Sequence, residues 1–333
     1  MQPLKGRSIL GINELTNEEI KFILEVSADL KRKWKMGEPH EYLRGKSLAG
    51  IFNTQSTRTS CSFETSMTAL GGHMLWLDKN RIWSGSAGAE NWHDTIKTLT
   101  RYVQGIAHRP VTRELLEETN ALANVPVINA SCPVEHPTQA FADILTMQEW
   151  SGNDNLKGAK VAFCWGYGEL NPPAGLTNST LAMAARLGFD VTIACPDAPG
   201  YLPDQRYLDE AFGAQEAMGN KIEIVHSYEE AVKDADFINV YGWVAPEIFA
   251  EGPETGYRGN PEFAENKKKF KSWCMDEKTV ALAPSTVKVM HCLPAARNEE
   301  VTDGVLDGAN SIIFDEAENR MHTIKALCTL LMQ

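Results

Sequence analysis

The sequence predicts an α/β protein built of two Rossmann-like domains with parallel sheets, and three observations carry that expectation. The chain has 333 residues, enough for two domains of ordinary size. Short apolar runs ending in turn-prone residues alternate with amphipathic stretches in both halves, the pattern of strand–helix–strand units. Several strand-to-helix junctions carry hydroxyls, histidine or arginine, where a helix N-terminus offers unpaired N–H groups to an anion.

The first half begins with a helix over residues 13 to 35. Thr16-Asn-Glu-Glu19 reads as a capping box, and Ile20, Ile23, Leu24 and Val26 form the apolar stripe. Leu48 to Phe52 reads as a buried strand and Asn53 as its turn. Phe63, Met67 and Leu70 then mark an amphipathic helix closed by Gly71 and Gly72. Between strand and helix stand Ser56, Thr57, Arg58, Thr59, Ser60 and Ser62. This is an anion site if the hydroxyls and guanidinium face a ligand, or an ordinary Ser/Thr cap if they do not.

Residues 73 to 93 read as a mobile, exposed loop, with Trp83 either a lid contact or tucked against its own domain. A helix at about 93 to 104 precedes a strand ending in His108 and Arg109. Val125 to Asn129 is the next buried strand. His136 and Gln139 follow it, at the start of a helix that Pro137 opens. Two polar junctions at equivalent ends of parallel strands converge in an open sheet, so His136 and Gln139 read as site residues over structural ones.

The polar stretch 151 to 158 is the expected domain boundary. Beyond it, strands are expected at Val161–Trp165, Asp190–Cys195, Ile222–His226, Phe237–Tyr241, Val287–Met290 and Ile312–Phe314. Helices are expected at 176–187, 204–218 and 228–234, and a last one from Met321 to Met332. Gly166 and Gly168 give only part of a dinucleotide fingerprint, because Asn171 stands where its third glycine belongs. The Lys267-Lys-Lys269 run reads as a solvated helix face. Cys292 has only His291 beside it and reads as a wall of the site, not a nucleophile.

Composition excludes several classes. Hydrophobic residues make up 43% and charged residues 23%, the profile of a globular protein. A net charge of −12 argues against nucleic acid and requires any phosphate to be held by local donors. No apolar run reaches the roughly 18 residues of a membrane span, and the N-terminus lacks a signal-peptide core. A cytoplasmic location with no membrane partner is therefore expected. Seven cysteines without paired spacing indicate neither a disulfide frame nor a zinc site.

Ser56-Thr-Arg-Thr59 with Ser62-Phe-Glu64, His136-Pro-Thr-Gln139, His291-Cys-Leu-Pro294 and Glu318-Asn-Arg320, in that order, resemble the aspartate/ornithine carbamoyltransferase (transcarbamylase) family over essentially the whole chain. The resemblance implies two α/β domains. Residues 1–150 would bind carbamoyl phosphate, with a helix over 318–333 packing back on them, and residues 151–317 would bind the amine. It implies a homotrimer with active sites shared between subunits, the Trp83 loop entering a neighbour's site. Ser56, Thr57, Arg58 and Thr59 would bind phosphate, Arg109 and His136 would bracket the phosphate and carbonyl oxygen, and Gln139 would take the carbamoyl NH2. Arg58, Thr59, Arg109 and His136 would be the catalytic donors to the charge growing on the carbonyl oxygen. The carbonyls of Cys292 and Leu293 and the side chain of Arg320 would complete the carbamoyl contacts. Trp83, Tyr241, Trp243, Cys292, Leu293 and Pro294 would face the amine. No metal, cofactor or covalent intermediate is required, since the amine attacks directly and phosphate leaves.

The match has departures. Ser60 stands where the family usually has a second arginine. Tyr241 replaces the aspartate of ornithine enzymes, and Ala245-Pro-Glu247 replaces their Ser-Met-Gly. A site without that carboxylate is expected to hold free ornithine poorly. The long Pro-rich segment from Trp165 to Ser179 resembles the threaded crossing of the knotted branch acting on N-acylated ornithines, although that branch has lysine at the position of Tyr241. Two rival classes remain: a catalytically silent homologue serving as a regulatory subunit, and a nucleotide-dependent oxidoreductase suggested by the βα alternation alone.

Overall fold

A computed structural model describes residues 4–78, 80–82, 90–168, 172, 174–245 and 261–333. The chain divides into two compact units, Met1–Leu145 with Glu318–Gln333, and Thr146–Ala317. The division falls inside a helix, Pro137–Ser151, ahead of the turn-rich stretch expected to mark it.

In the first unit, α1 (Asn17–Met36) starts at the expected capping box: Thr16 accepts from Glu19 N, and the Glu19 side chain accepts from Thr16 N. Four parallel strands follow, β1 (Ser47–Phe52), β2 (His73–Asp78), β3 (Gly105–Arg109) and β4 (Val127–Asn129), in the order β2-β1-β3-β4. The helices α2 (Thr57–Ala69), α3 (Trp92–Leu99), α4 (Arg113–Leu122) and α5 (Pro137–Ser151) connect or follow them. Leu10, Ala49, Ile51, Ile96, Ile106, Leu116 and Val127 form one buried cluster beneath the sheet.

Three expectations are corrected here. The run from Ser56 is not a loop preceding a helix at Phe63. Ser56 caps α2 and the helix begins at Thr57. Its first turn is polar because it begins just beyond the carboxyl end of β1, so apolar periodicity starts only where the helix reaches the core. Residues 73 to 78 are not loop but the edge strand β2. Most of its residues are half-buried, and an edge strand so placed gives weak alternation. The third helix ends at Leu99, short of the expected 104. Gly71, at φ +74°, ends α2 in the left-handed region that glycine adopts without strain. Trp83 lies outside the described residues.

The second unit holds β5 (Lys160–Trp165), β6 (Asp190–Ala194), β7 (Ile222–Val225), β8 (Phe237–Tyr241) and β9 (Lys288–Met290), all parallel, in the order β7-β6-β5-β8-β9. Among the described residues its helices are α6 (Gly175–Arg186), α7 (Gln205–Met218), α8 (Tyr228–Val232), α9 (Pro261–Lys267), α10 (Glu277–Val280) and α11 (Asp303–Leu306). The last helix, α12 (Ile313–Met332), runs on into the first unit's terminal segment.

The expected strand Ile312–Phe314 reduces to a single bridge between Ser311 and Val289, and α12 begins at Ile313 rather than Met321. Asp315 to Arg320 therefore lie within α12 instead of opening it. Phe314, 67% exposed, explains why three apolar residues in a row do not make a buried strand. The lysine run is not a uniformly solvated face. Lys267 is buried, donating to the Gly168 carbonyl with its ammonium over the Tyr167 ring, while Lys268 pairs with Glu265 outside. The crossing expected between Trp165 and Ser179 involves residues 169–171 and 173, outside the described residues. Among the described residues no helix is long and apolar enough to cross a membrane.

Candidate active site

In an open parallel sheet, ligands bind beyond the strands' carboxyl ends where the strand order reverses. In the first unit that point lies between β1 and β3, whose last residues Phe52 and Arg109 are paired in register. The sequence places Ser56–Thr59 just beyond β1, Arg109 at the end of β3, and His136–Gln139 beyond β4.

Ser56 Oγ accepts from Thr59 N at 3.3 Å, and Ser60 N bonds to the Ser56 carbonyl. The N–H groups of Thr57 and Arg58 are left without intrahelical partners, pointing out of the positive end of α2. Ser60 Oγ donates back to the Ser56 and Thr57 carbonyls, at 2.7 and 3.0 Å, so its hydroxyl serves the helix itself. Arg109 is aimed by its Nε, which donates to Thr54 Oγ1 at 2.9 Å.

The guanidinium of Arg320, on α12 and 2% exposed, binds this end of the unit together. Nη1 donates to Gln139 Oε1 at 2.6 Å, and Nη2 donates to Thr59 Oγ1 at 3.1 Å and Thr138 Oγ1 at 3.2 Å. Gln139 Nε2 donates to buried Asp143 at 2.8 Å. The amide is thus fixed with its oxygen toward Arg320.

Burial holds the His136 imidazole well below its ordinary pKa, helped by the nearby cations Arg320, Arg109 and Arg58. Thr138 Oγ1 accepts from Arg320 and lies 3.3 Å from His136 Nδ1, to which its own hydrogen can go. Placed on Nε2, the ring proton makes neutral His136 a donor. Thr138 and Asp143 were not picked out from sequence. Thr138 stood inside a recognised motif, whereas Asp143 carried no signal beyond its i+4 spacing from Gln139.

The second unit's reversal point lies between β5 and β8. Tyr241, ending β8, is half-buried, its ring 6.2 Å from that of His291. Trp243 is not presented to a ligand. It is fully buried in the core, its Nε1 donating to the Tyr201 carbonyl at 2.8 Å, which corrects its candidacy as an amine contact.

Cys292 and Leu293 follow β9, with Leu293 at φ +56°, a left-handed conformation that costs a side-chain-bearing residue roughly 1–3 kcal/mol. His291 holds that turn: its Nδ1 accepts from Leu293 N at 2.8 Å and its Nε2 donates to Glu300 Oε1 at 3.0 Å. Glu300, buried, also accepts from Ala296 N at 2.7 Å and Gly242 N at 3.2 Å. A Cβ on Gly166 would stand 2.6 Å from that of Glu300, so the β5 end closes on it only as glycine. Glu316 accepts from His291 N at 2.9 Å. No sequence signal marked Glu300, one of two adjacent glutamates near the recognised motif. Among the described residues no group of three His, Cys, Asp or Glu side chains is placed to hold a metal ion.

Family models of the aspartate/ornithine carbamoyltransferase carbamoyl-P binding domain and Asp/Orn binding domain match residues 7–149 and 157–331. The chain belongs to the aspartate/ornithine carbamoyltransferase family. It is 40% identical to ornithine carbamoyltransferase of Methanosarcina mazei over 327 residues, 98% of this chain and 99% of that one. The solved ornithine carbamoyltransferase of Pyrococcus furiosus superposes with a TM-score of 0.86 at 37% identity, covering 99% of this chain and 98% of the other. An acetylornithine transcarbamylase solved with acetylcitrulline gives 0.89 at 31% identity, covering 98% and 99%. Both branches of this carbamoyltransferase family, the ornithine and the acetylornithine enzymes, are thus similar to the chain along nearly its full length.

Proposed function

We propose that the protein transfers the carbamoyl group of carbamoyl phosphate to the primary amine of an ornithine-like or N-acylated ornithine-like acceptor, releasing phosphate. The observation that carries this reading is the meeting of Arg320, Thr59, Thr138 and Gln139 in one hydrogen-bonded set beside neutral His136, at the end where α2 begins. Phosphate is held by the N–H groups of Thr57 and Arg58, the hydroxyls of Ser56, Thr57 and Thr59, and the Arg58 guanidinium. Arg109 and His136 meet the carbonyl oxygen, where negative charge grows as the amine attacks. One such preorganised donor contributes roughly 3 kcal/mol. Gln139 Oε1 accepts from the carbamoyl NH2, with Arg320 fixing the amide, and the departing phosphate takes the amine's proton.

On the acceptor side the second unit contributes Tyr241, the Cys292 and Leu293 carbonyls and Pro294. A tyrosine in place of a carboxylate favours an acceptor whose α-amine carries no charge, which is the chemistry of an N-acylated ornithine. We further propose a homotrimer in the cytoplasm, on the family resemblance and the composition.

The test is carbamoyl-phosphate-dependent phosphate release with ornithine, N-acetylornithine, N-succinylornithine, putrescine, lysine and aspartate. Turnover with an ornithine or N-acylornithine, lost in Arg58→Ala, is expected. Carbamoyl phosphate binding with no amine turned over would contradict the transferase reading of the acceptor side. Equilibrium sedimentation at a mass other than three chains would refute the trimer.

A further inference from the structure

His108 precedes Arg109 on β3 and pairs in register with Ile51. It is fully buried, with its Nε2 2.8 Å from Asn53 Oδ1 and the Trp92 ring 5.6 Å from its own. Its Nδ1 is buried without a hydrogen-bond partner. Burial pushes the imidazole down to about 3, so the ring is neutral at working pH, its proton on Nε2 and donated to Asn53. A leucine would fill this apolar setting without leaving a buried nitrogen unpaired. Core filling alone therefore does not account for a histidine here.

The bond reaches the turn between β1 and α2. Asn53 N donates to the Arg109 carbonyl at 3.0 Å, and Arg109 Nε donates to Thr54 Oγ1 at 2.9 Å. With the His108–Asn53 bond, three hydrogen bonds tie residues 53 and 54 to the last two residues of β3. This turn runs directly into Ser56 and the N-terminus of α2. We propose that His108 is a positioning residue: by gripping Asn53 it fixes the β1–α2 turn against β3 and so sets the spacing between Ser56–Thr59 and the Arg109 guanidinium. The inference rests on the reading of this strand end as the carbamoyl phosphate site. His108 touches no substrate; it acts through Asn53.

The experiment compares His108→Leu, His108→Gln, Asn53→Ala and the His108→Leu/Asn53→Ala double variant in the full chain. It measures carbamoyl phosphate affinity by calorimetry, KM and kcat by phosphate release, and melting temperature. His108→Leu is expected to raise Kd and KM about tenfold, with kcat changed by less than about threefold. His108→Gln, whose amide can still donate to Asn53, should recover most of the affinity. The double variant should bind no more weakly than either single one, because both remove the same bond. Unchanged affinity with a lowered melting temperature, or losses that add in the double variant, would overturn the proposal. If His108→Leu fails to fold, Asn53→Ala at its half-buried position decides on the same affinity readout. Wild-type protein that binds no carbamoyl phosphate would overturn the site reading itself, and the clamp with it.

Discussion

The two units share one plan, a parallel sheet whose strand order reverses near its middle, yet they furnish that point with opposite charge. In the first, the cations Arg58, Arg109 and Arg320 act on uncharged His136, just ahead of α5. In the second, the buried carboxylates of Glu300 and Glu316 receive backbone N–H groups from Gly242, Ala296 and His291. The lesson is that strand order supplies a place and side chains supply its chemistry. One reversal point is equipped to receive an anion. The other uses its buried carboxylates to hold its own loops, which on the proposed reading leaves neutral groups such as Tyr241 to meet a ligand. The net charge of −12 decides neither.

If the first unit is the anion site, removing its buried guanidinium does the most damage. Arg320→Ala should lower kcat/KM by at least about 10³-fold, since it frees Gln139 and Thr138 together. A loss below about tenfold in steady-state assays would break the contrast. In the second unit, Glu300→Gln should cost roughly 2 kcal/mol of stability in denaturant melts, by weakening charge-assisted bonds to Gly242 and Ala296. Its effect on carbamoyl phosphate binding should be slight.

The units should also differ in acid. His108 and His322 are pushed down to about 3 by burial, and His136 well below its ordinary value, all in the first unit. A base with a depressed folded pKa binds its proton more readily when unfolded. The stability these groups contribute is therefore present above the unfolded value of about 6.5 and is lost as pH falls from there toward 3. The expected slope is about 1.4 kcal/mol per pH unit for each proton taken up. Melting temperatures that hold steady from pH 7 to pH 4.5 would contradict it. The smallest effect concerns the acceptor: Tyr241→Asp should raise kcat/KM for free ornithine about tenfold by returning a counter-charge to its ammonium. No gain would show that another group sets acceptor choice.

Sequence alone disclosed most of this. The capping box of α1, the buried strands β1, β5 and β8 and the polar junctions at Ser56 and His136 were legible because local chemistry and periodicity agree there. What escaped depends on tertiary placement. β2 is an edge strand with half-buried residues, so its alternation is faint. Ile312–Phe314 reads as a strand until Phe314 is seen to face outward. Trp243 follows β8 in a segment expected from the resemblance to face the amine, yet its indole is buried in the core. Glu300 and His108 have no local motif, since each earns its role through partners distant in sequence.

The most direct test of the central claim is calorimetric titration of carbamoyl phosphate into the wild-type protein, Arg58→Ala and Glu300→Gln. Binding to the wild type and to Glu300→Gln, with a loss of at least about tenfold in Arg58→Ala, is the result the charge contrast predicts. Undiminished binding in Arg58→Ala would contradict it, as would binding abolished by Glu300→Gln in a protein that still folds.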